Sequence, residues 1–560
     1  MEAYDYIIIG AGSAGCVLAG SLTENPANKV LLIEAGPPSD RFWVNTPAGM
    51  AKLYFNKRLN WNYYTEPMEL LRGRRMYWPR GKGLGGSSSI NGMVYIRGHR
   101  NDFDSWRDLG NPGWGYDDVL PYFKKLEHYE GGADEYRGTG GPLWISDPVA
   151  KMPSSYDFIE SATRVGIPKT KDMNGALHDG VGFIQHNIKN GKRQSAYVAF
   201  VKPALGRSNL TIKTELRVQK ILFEGKEATG IEVLVNGVSQ QIKANREVIL
   251  SAGSLNSPQL MMLSGIGPAS ELQRHGIRVL LNVPGVGENL QDHFYVHTAF
   301  KATPSSSYNT SISGLRKYLE GFRYLTTGKG YLALGSSQAA AFVKSGPEEE
   351  MADLQISFRP MTFTYHQSGK VHVDPFPGLG VSVFILRPRT TGAVTLQSAD
   401  PSVDALFTPN FLSNEEDNRA MMSGIRQIRQ IMGTKPIASR VVEELVPGPR
   451  VQSDAELMNY MAEHGNSAAH QVGTCKMGND PMAVVDERLR VRGIGRLRVV
   501  DASIMPHMTS GNTNAPTMML ALKAADLIKE DAARGQPVTI NAAFSSKAAA
   551  VKRAAAHATK

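Results

Sequence analysis

Cysteine is almost absent from this 560-residue chain: Cys16 and Cys475 are the only two, and they stand far apart. Two thiols make neither a disulfide framework nor a zinc cluster, and they fit a reducing compartment. There is no uninterrupted apolar stretch able to cross a bilayer, so the chain reads as soluble or peripheral. No G-x-S-x-G nucleophile elbow and no H-E-x-x-H zinc motif occurs, no segment repeats, and no metal is expected. Acidic residues stop before the chain does. After Asp531 come Arg534, Lys547, Lys552, Arg553 and Lys560 with no Asp or Glu, half of the net charge of +10. The rest is only mildly basic for its size, and no nucleic-acid groove is expected. The Ala-rich tail, 532–560, reads as an unstructured end, its alternative being a short helix on an anionic membrane surface. The expected location is cytoplasmic, with peripheral contact at the inner membrane face as the option the tail leaves open.

What is present begins at once. Tyr6-Ile-Ile-Ile-Gly10-Ala-Gly12-Ser13-Ala14-Gly15 is a strand running into a glycine turn, and a second apolar strand, Lys29 to Ile33, ends on Glu34. Gly10 permits the tight turn, Gly12 lets backbone approach a pyrophosphate, and Gly15 lets the next helix pack on the strand. Phosphates then meet a helix N-terminus, where unpaired N–H groups and the dipole favour negative charge. Glu34 is placed to accept from both hydroxyls of an adenosine ribose and to repel a 2′-phosphate, which disfavours NADP. The uncharged run Tyr6 to Thr23 is no signal peptide, because Glu2 and Asp5 precede it and glycines interrupt it.

The length calls for at least two domains. After an aromatic and Arg-rich stretch, Phe42 to Arg80, comes the irregular run Gly81 to Asn91, whose N–H groups and small side chains suit a loop around a phosphate or flat ring. Strands are expected at Asn209 to Leu216, Ile231 to Val235 and Glu247 to Leu250, the last ending in Ser251-Ala252-Gly253. Residues Ala299 to Ala462 alternate strands (Leu354 to Phe358, Val381 to Leu386, Ala393 to Leu396) with helices such as Glu415 to Met432. The nucleotide pattern then returns as a strand, Arg496 to Val500, ending in Asp501, and a helix from Pro516 to Glu530. The predicted fold is α/β: a discontinuous Rossmann-like dinucleotide domain (1–150, 209–298 and 465–531) and an α+β substrate domain on a largely antiparallel sheet (151–208 and 299–464). Gly285 to His293 is expected to touch the domain interface and is assigned no chemistry.

Two C-terminal segments complete the pattern, Ala469-His470 through Gly478 and Asp501 through Thr517. With Gly81-Lys-Gly-Leu-Gly85-Gly86-Ser-Ser-Ser-Ile90-Asn91 and Gly253-Ser-Leu-Asn-Ser-Pro258 through Gly267, they make the chain resemble the glucose-methanol-choline oxidoreductase family over about residues 4–531, near its choline- and aliphatic-alcohol-oxidising members. The resemblance implies FAD held by Gly10, Gly12, Ser13, Ala14, Gly15, Glu34, Ala35, Lys82, Gly85, Gly86, Ser87, Asn91, Gly92, Val94, Val218, Ala252, Asp501, Ala502, Asn514, Pro516 and Thr517. It implies oxidation of a primary alcohol to the aldehyde, with His470 as catalytic histidine and Asn514 as its partner. Neutral imidazole is the usual acceptor of a hydroxyl proton near neutral pH. Electrons would pass to a quinone, another carrier or oxygen.

The departures from the family pattern carry expectations of their own. Ile90 stands where some members attach flavin through a histidine, so the FAD is expected to be noncovalent. Ala469 and Gln471 flank His470 in place of an aromatic and a proline. Gln338, before Ala339-Ala-Ala-Phe342, stands where choline-oxidising relatives carry a glutamate, which points to an uncharged aliphatic or aromatic alcohol. The alternatives are choline oxidation, an oxygen-using oxidase, a non-redox cyanohydrin lyase and a nicotinamide-dependent dehydrogenase.

Overall fold

The computed structural model describes residues 2–312, 314–366 and 370–534. The first sheet has seven strands. Leu210–Lys213, Val30–Ile33, Ala3–Ile9 and Val238–Leu250 lie side by side in parallel, and Leu497–Val499 pairs in parallel with the last of them. Val30–Ile33 is buried along its whole length and Ala3–Ile9 along most of it, as strands covered on both faces must be. Val238–Leu250 changes character partway. Its first half is exposed and forms an antiparallel ribbon with Glu227–Val235, while Val248, Ile249 and Leu250 enter the core.

The register fixes where the site must be. Ile9 pairs with both Ile33 and Leu250, and Leu250 pairs with Val499, so the strands end level. The loops that follow, starting at Gly10, Glu34, Ser251 and Val500, therefore share one edge, the edge at which open α/β sheets bind ligands. The first helix, Ser13–Leu22, and the last long one, Asn514–Ala533, pack together over this sheet.

The second sheet also has seven strands, in the order Val441–Val446, Phe294–Ala302, Gly378–Ile385, Leu354–Arg359, Ala339–Val343 and Gly180–Phe183, with Asn466–Ser467 beside Phe294–Ala302; its pairs are antiparallel. Glu415–Met432 forms the expected helix. Asn414 caps it by accepting from the N–H groups of Glu416 and Asp417, acids fill its first turn, and Met421, Ile425, Ile428 and Met432 make a buried stripe. A Cβ on Gly424 would fall 2.5 Å from Val383, which shows how closely helix and sheet approach.

Three expectations need correction. Phe294–Ala302 begins inside the segment assigned to the dinucleotide domain, yet all its partners lie in the second sheet. Ala393–Thr395 pairs with Leu406–Thr408 in a separate two-stranded ribbon and not with the large sheet. The stretch Phe42 to Arg80 is more ordered than its composition suggests, with short helices at Phe42–Asn45 and Met50–Leu53 and a ribbon of Tyr63–Tyr64 on Tyr77–Trp78. The basic tail lies outside the described residues apart from Ala532, Ala533 and Arg534.

Candidate active site

A cavity of about 520 Å³ runs along the shared strand edge from Glu34 to His470. Its first end is built by backbone. Glu34 is buried and accepts from the N–H groups of Ala11 (2.9 Å), Gly36 (2.8 Å) and Gly83 (3.0 Å), tying three loops to one carboxylate. A carboxylate has about four acceptor positions. Three are taken, so one rather than several remains for a ribose. Burial raises the Glu34 pKa and the three N–H groups oppose that rise.

The glycines differ in what they allow. A Cβ on Gly10, at φ +98°, would lie 2.5 Å from the Ser251 carbonyl oxygen, and one on Gly15 would lie 1.9 Å from that of Gly10. Gly12 is the opposite case. Its nearest neighbour would be 4.0 Å away, so the space over it belongs to the cavity and fits a close-approaching pyrophosphate. Gly86, at φ +50°, brings the next loop onto Gly12. Arg193 holds that loop from behind, donating to the carbonyls of Ser88 and Asn91 and to the Asn91 side chain. Among the described residues no carboxylate pairs with it, and burial lowers its pKa to about 9. Asp501 joins the last strand to the Ser251 turn by accepting from the Gly253 N–H, the Ser257 hydroxyl and the Ser503 N–H.

At the far end, the turn Ser467–Gln471 presents His470. Ala469 sits at φ +59°, a conformation costing a residue with a Cβ about 1–2 kcal/mol. Ser467 accepts from its N–H and Arg80 donates to its carbonyl. Gln471 donates to Asp292 and accepts from Arg80, so the residue that replaces a proline ties both sides of the turn. Buried Asp292 also accepts from the His470 N–H at 2.8 Å and from the Ser467 hydroxyl, and burial lifts its pKa to about 6.

The imidazole of His470 has two partners, one on each ring nitrogen. His293 Nε2 lies 3.2 Å from the Leu386 carbonyl, which can only accept. Burial lowers the His293 pKa to about 4, so the ring is neutral with its proton on Nε2 and a lone pair on Nδ1. That lone pair faces His470 Nδ1 at 2.9 Å, an arrangement that pairs when His470 carries its proton on Nδ1. Its Nε2 then carries a lone pair in the cavity wall, accepting from Asn512 Nδ2 at 2.9 Å. Burial first, then His293 and Arg80, press the His470 pKa well below the usual value.

Of the residues expected to hold cofactor, Gly15, Lys82, Gly85 and Pro516 stand behind the wall and the others line it. Asn514 lines it too, but its Oδ1 takes the Ser13 hydroxyl at 2.7 Å; the side chain on His470 is Asn512. The Asn512 oxygen is buried without a partner, an acceptor open to a cavity ligand. Gln338 is not in the wall. Its amide accepts from Met152 N and Ser155 Oγ and donates to Ala150 O and Tyr308 Oη, a structural knot that gives it no route to substrate. Sequence reasoning missed Asp292, His293 and Asn512. The first two lie in the Gly285 to His293 run that had been given no chemistry.

The substrate end is formed by Tyr295, His297, Ser336, Ser337, Arg359, Phe363 and Phe384 with His470. Among the described residues of the whole wall the only acids are Glu34 and Asp501, both at the cofactor end. Arg359 places its guanidinium 4.7 Å from the Phe363 ring centre, and its charge adds to burial in lowering the His297 pKa to about 3.

The comparisons agree with this geometry. Residues 4–295 and 388–521 match the N- and C-terminal parts of the GMC oxidoreductase family. The chain is 43% identical to the alcohol dehydrogenase (acceptor) of Pseudomonas putida over 94% of its length and 95% of that protein's. It is also 43% identical to the mitochondrial choline dehydrogenase of Homo sapiens, over 96% and 90%. The solved pyridoxine 4-oxidase from Mesorbium loti superposes with a TM-score of 0.84 at 31% identity, covering 94% of this chain and 99% of that one. A wall that offers a carboxylate to an adenosine, an open glycine to a pyrophosphate and a bare imidazole nitrogen at the far end fits FAD. The chain belongs to the GMC oxidoreductase family and is an FAD flavoprotein.

Proposed function

We propose that this protein oxidises an uncharged primary alcohol, aliphatic or aromatic, to the aldehyde and passes the electrons to a quinone or another carrier. The observation that carries the reading is the placement of His470 in the cavity wall, its Nδ1 against His293 and its Nε2 against the Asn512 amide. When bound, FAD supplies the acceptor for the carbinol hydride. His470 Nε2 takes the hydroxyl proton. The Asn512 amide, already on that nitrogen, donates to the alcohol oxygen as charge builds there, and Asn514 acts from the same wall. The depressed His470 pKa keeps the base unprotonated at neutral pH.

The preference for an uncharged substrate rests on Arg359, with Gln338 removed from the site. Among the described residues of the wall no carboxylate stands at the substrate end to receive a trimethylammonium, and the Arg359 guanidinium lies in that part of the wall.

The test is anaerobic mixing of the yellow protein with straight-chain alcohols, benzylic alcohols and choline. Bleaching by the uncharged alcohols and not by choline is expected, and bleaching by choline alone refutes the substrate assignment. His470→Ala should slow bleaching by ~10² to 10⁴ while the protein stays yellow; an unchanged rate refutes its role. Oxygen consumption matching dye reduction would make the enzyme an oxidase. Ile90 packs against Val44, Leu53 and Leu59 with no nucleophile to offer, so acid precipitation should release the FAD.

A further inference from the structure

The helix Arg316–Thr327 buries only one of its large side chains, Tyr324, whose hydroxyl donates to the Gly191 carbonyl at 3.1 Å. Its opposite face is open. Leu315, Tyr318, Leu319, Phe322 and Leu325 are 81%, 66%, 69%, 68% and 70% exposed. At about 100° per residue they fall within an arc of about 120°. Scattered exposed apolar residues need no explanation, but a contiguous stripe marks a surface that something covers.

The stripe continues onto a neighbouring element. Phe42 and Trp43 are exposed, and the Phe42 ring lies 6.5 Å from that of Tyr324. A groove beside the helix has Phe42 and Leu325 in its wall together with the exposed Lys189 and Lys192. Arg316 and Lys317 ride on the helix itself, and Lys52 lies 5.7 Å from the Trp43 ring. The nearby acids are already engaged: Glu320 by Arg323 and the Tyr331 N–H, Asp40 by Lys202 and Asn45.

We propose that this face is a docking surface for an anionic lipid bilayer, with the apolar stripe entering the interface and the Lys and Arg rim meeting lipid phosphates. The charge decides between this and a second copy of the chain, since a two-fold contact on this face would press two cationic rims together. The same elements reach the active site. Met50 and Tyr54, a few residues after Trp43, line the cavity, as do Ser336 and Ser337 after the helix. Docking would set the cavity beside the membrane, where apolar alcohols and quinones concentrate.

The test is flotation of the full-length holoenzyme with vesicles of phosphatidylcholine alone or mixed with phosphatidylglycerol. Co-flotation with the anionic vesicles, reduced by salt, is expected. The double variant Leu319→Glu, Phe322→Glu should lose at least about tenfold of that partition. Its turnover of a short, water-soluble alcohol with a soluble dye should stay unchanged, which separates docking from the reaction assigned above. The variants keep the basic tail, so undiminished flotation of the double variant overturns the proposal. So does a wild-type dimer that the double variant splits into monomers, or equal binding to uncharged and anionic vesicles.

Discussion

Replacing His293 by phenylalanine tests the tautomer chain most directly, because it removes the acceptor that faces His470 Nδ1. In the wild type the Leu386 carbonyl orders His293, His293 Nδ1 accepts from His470 Nδ1, and the base is left free on Nε2. In His293→Phe the buried Nδ1–H of His470 has no acceptor. Leaving such a donor unsatisfied costs about 1–3 kcal/mol. The alternative tautomer, with its proton on Nε2, escapes that cost by turning the Asn512 amide so that the oxygen now unpaired accepts instead. The base-competent population should therefore fall by about 5- to 160-fold, at 1.36 kcal/mol per tenfold. This lies at or below the ~10² to 10⁴ expected for losing the imidazole altogether.

The assay is the rate of anaerobic flavin bleaching at saturating alcohol, compared among wild type, His293→Phe, His293→Asn and His470→Ala. His293→Asn offers a carbonyl oxygen where His293 offers a lone pair, so it should recover most of the rate. A His293→Phe rate within twofold of wild type would refute the reasoning. Equal losses in the Phe and Asn variants would do so too, because they would show that packing and not the acceptor matters.

Arg359→Glu should raise kcat/KM for choline relative to a matched uncharged alcohol by at least about tenfold, measured by competition; a fixed ratio would remove Arg359 from specificity. At Ala469, glycine should be tolerated with stability and rate close to wild type, whereas Ala469→Val puts a branched side chain at φ +59° and should cost about 1–2 kcal/mol in denaturant unfolding. The protein should also lose stability on the acid side in a set window. Burial depresses the pKa of His178, His186 and His293 to about 4 and of His297 to about 3, so between those values and the unfolded value of about 6.5 the unfolded chain binds protons that the native one does not. Tm should hold above about pH 6.5 and fall as the pH drops from there toward about 6, below which Asp292, raised to about 6, and other carboxylates raised by burial, Glu34 and Asp501 among them, act in the opposite sense. A Tm that rises on acidification through that range would contradict the assignment.

The cofactor half of the site was legible because its signals are local. A strand must run apolar, a glycine must stand where Gly15 meets the Gly10 carbonyl, and an acid must end the next strand, all within thirty-odd residues. The substrate half was not, for a physical reason that Gln338 illustrates. Its position is one residue before a strand, and whether it faces the cavity or the loops holding Ala150 and Met152 depends on contacts that sequence spacing does not contain. Asn512 and Asn514 pose the same problem at closer range. They are two residues apart at the start of the helix Asn514–Ala533, and the choice between them turns on Ser13 claiming one and His470 the other. Asp292 and His293 sat in a run whose glycines and polar residues read as a loop. Nothing in that run points toward a histidine nearly two hundred positions away.

Those last two residues explain how one base can serve two domains. His470 follows Asn466–Ser467 of the second sheet by three residues, and Asp292 and His293 belong to that sheet too, while Asn512 reaches it from the start of the helix Asn514–Ala533. Asp292 and His293 immediately precede the strand Phe294–Ala302, and Leu386 immediately follows Gly378–Ile385. These two strands pair directly, Tyr295 against Phe384, so the carbonyl that orders His293 is held in register with His293 itself. Asn512 is anchored from a third direction, through Ser510 on Asp102, which also receives Arg387 from the residue after Leu386. Because Asn466–Ser467 pairs with Phe294 and Tyr295, a shift of the second sheet against the first would carry Asp292, His293 and His470 together and draw His470 away from Asn512. Loss of the Asn512 contact on the base and loss of domain register should therefore appear as one event.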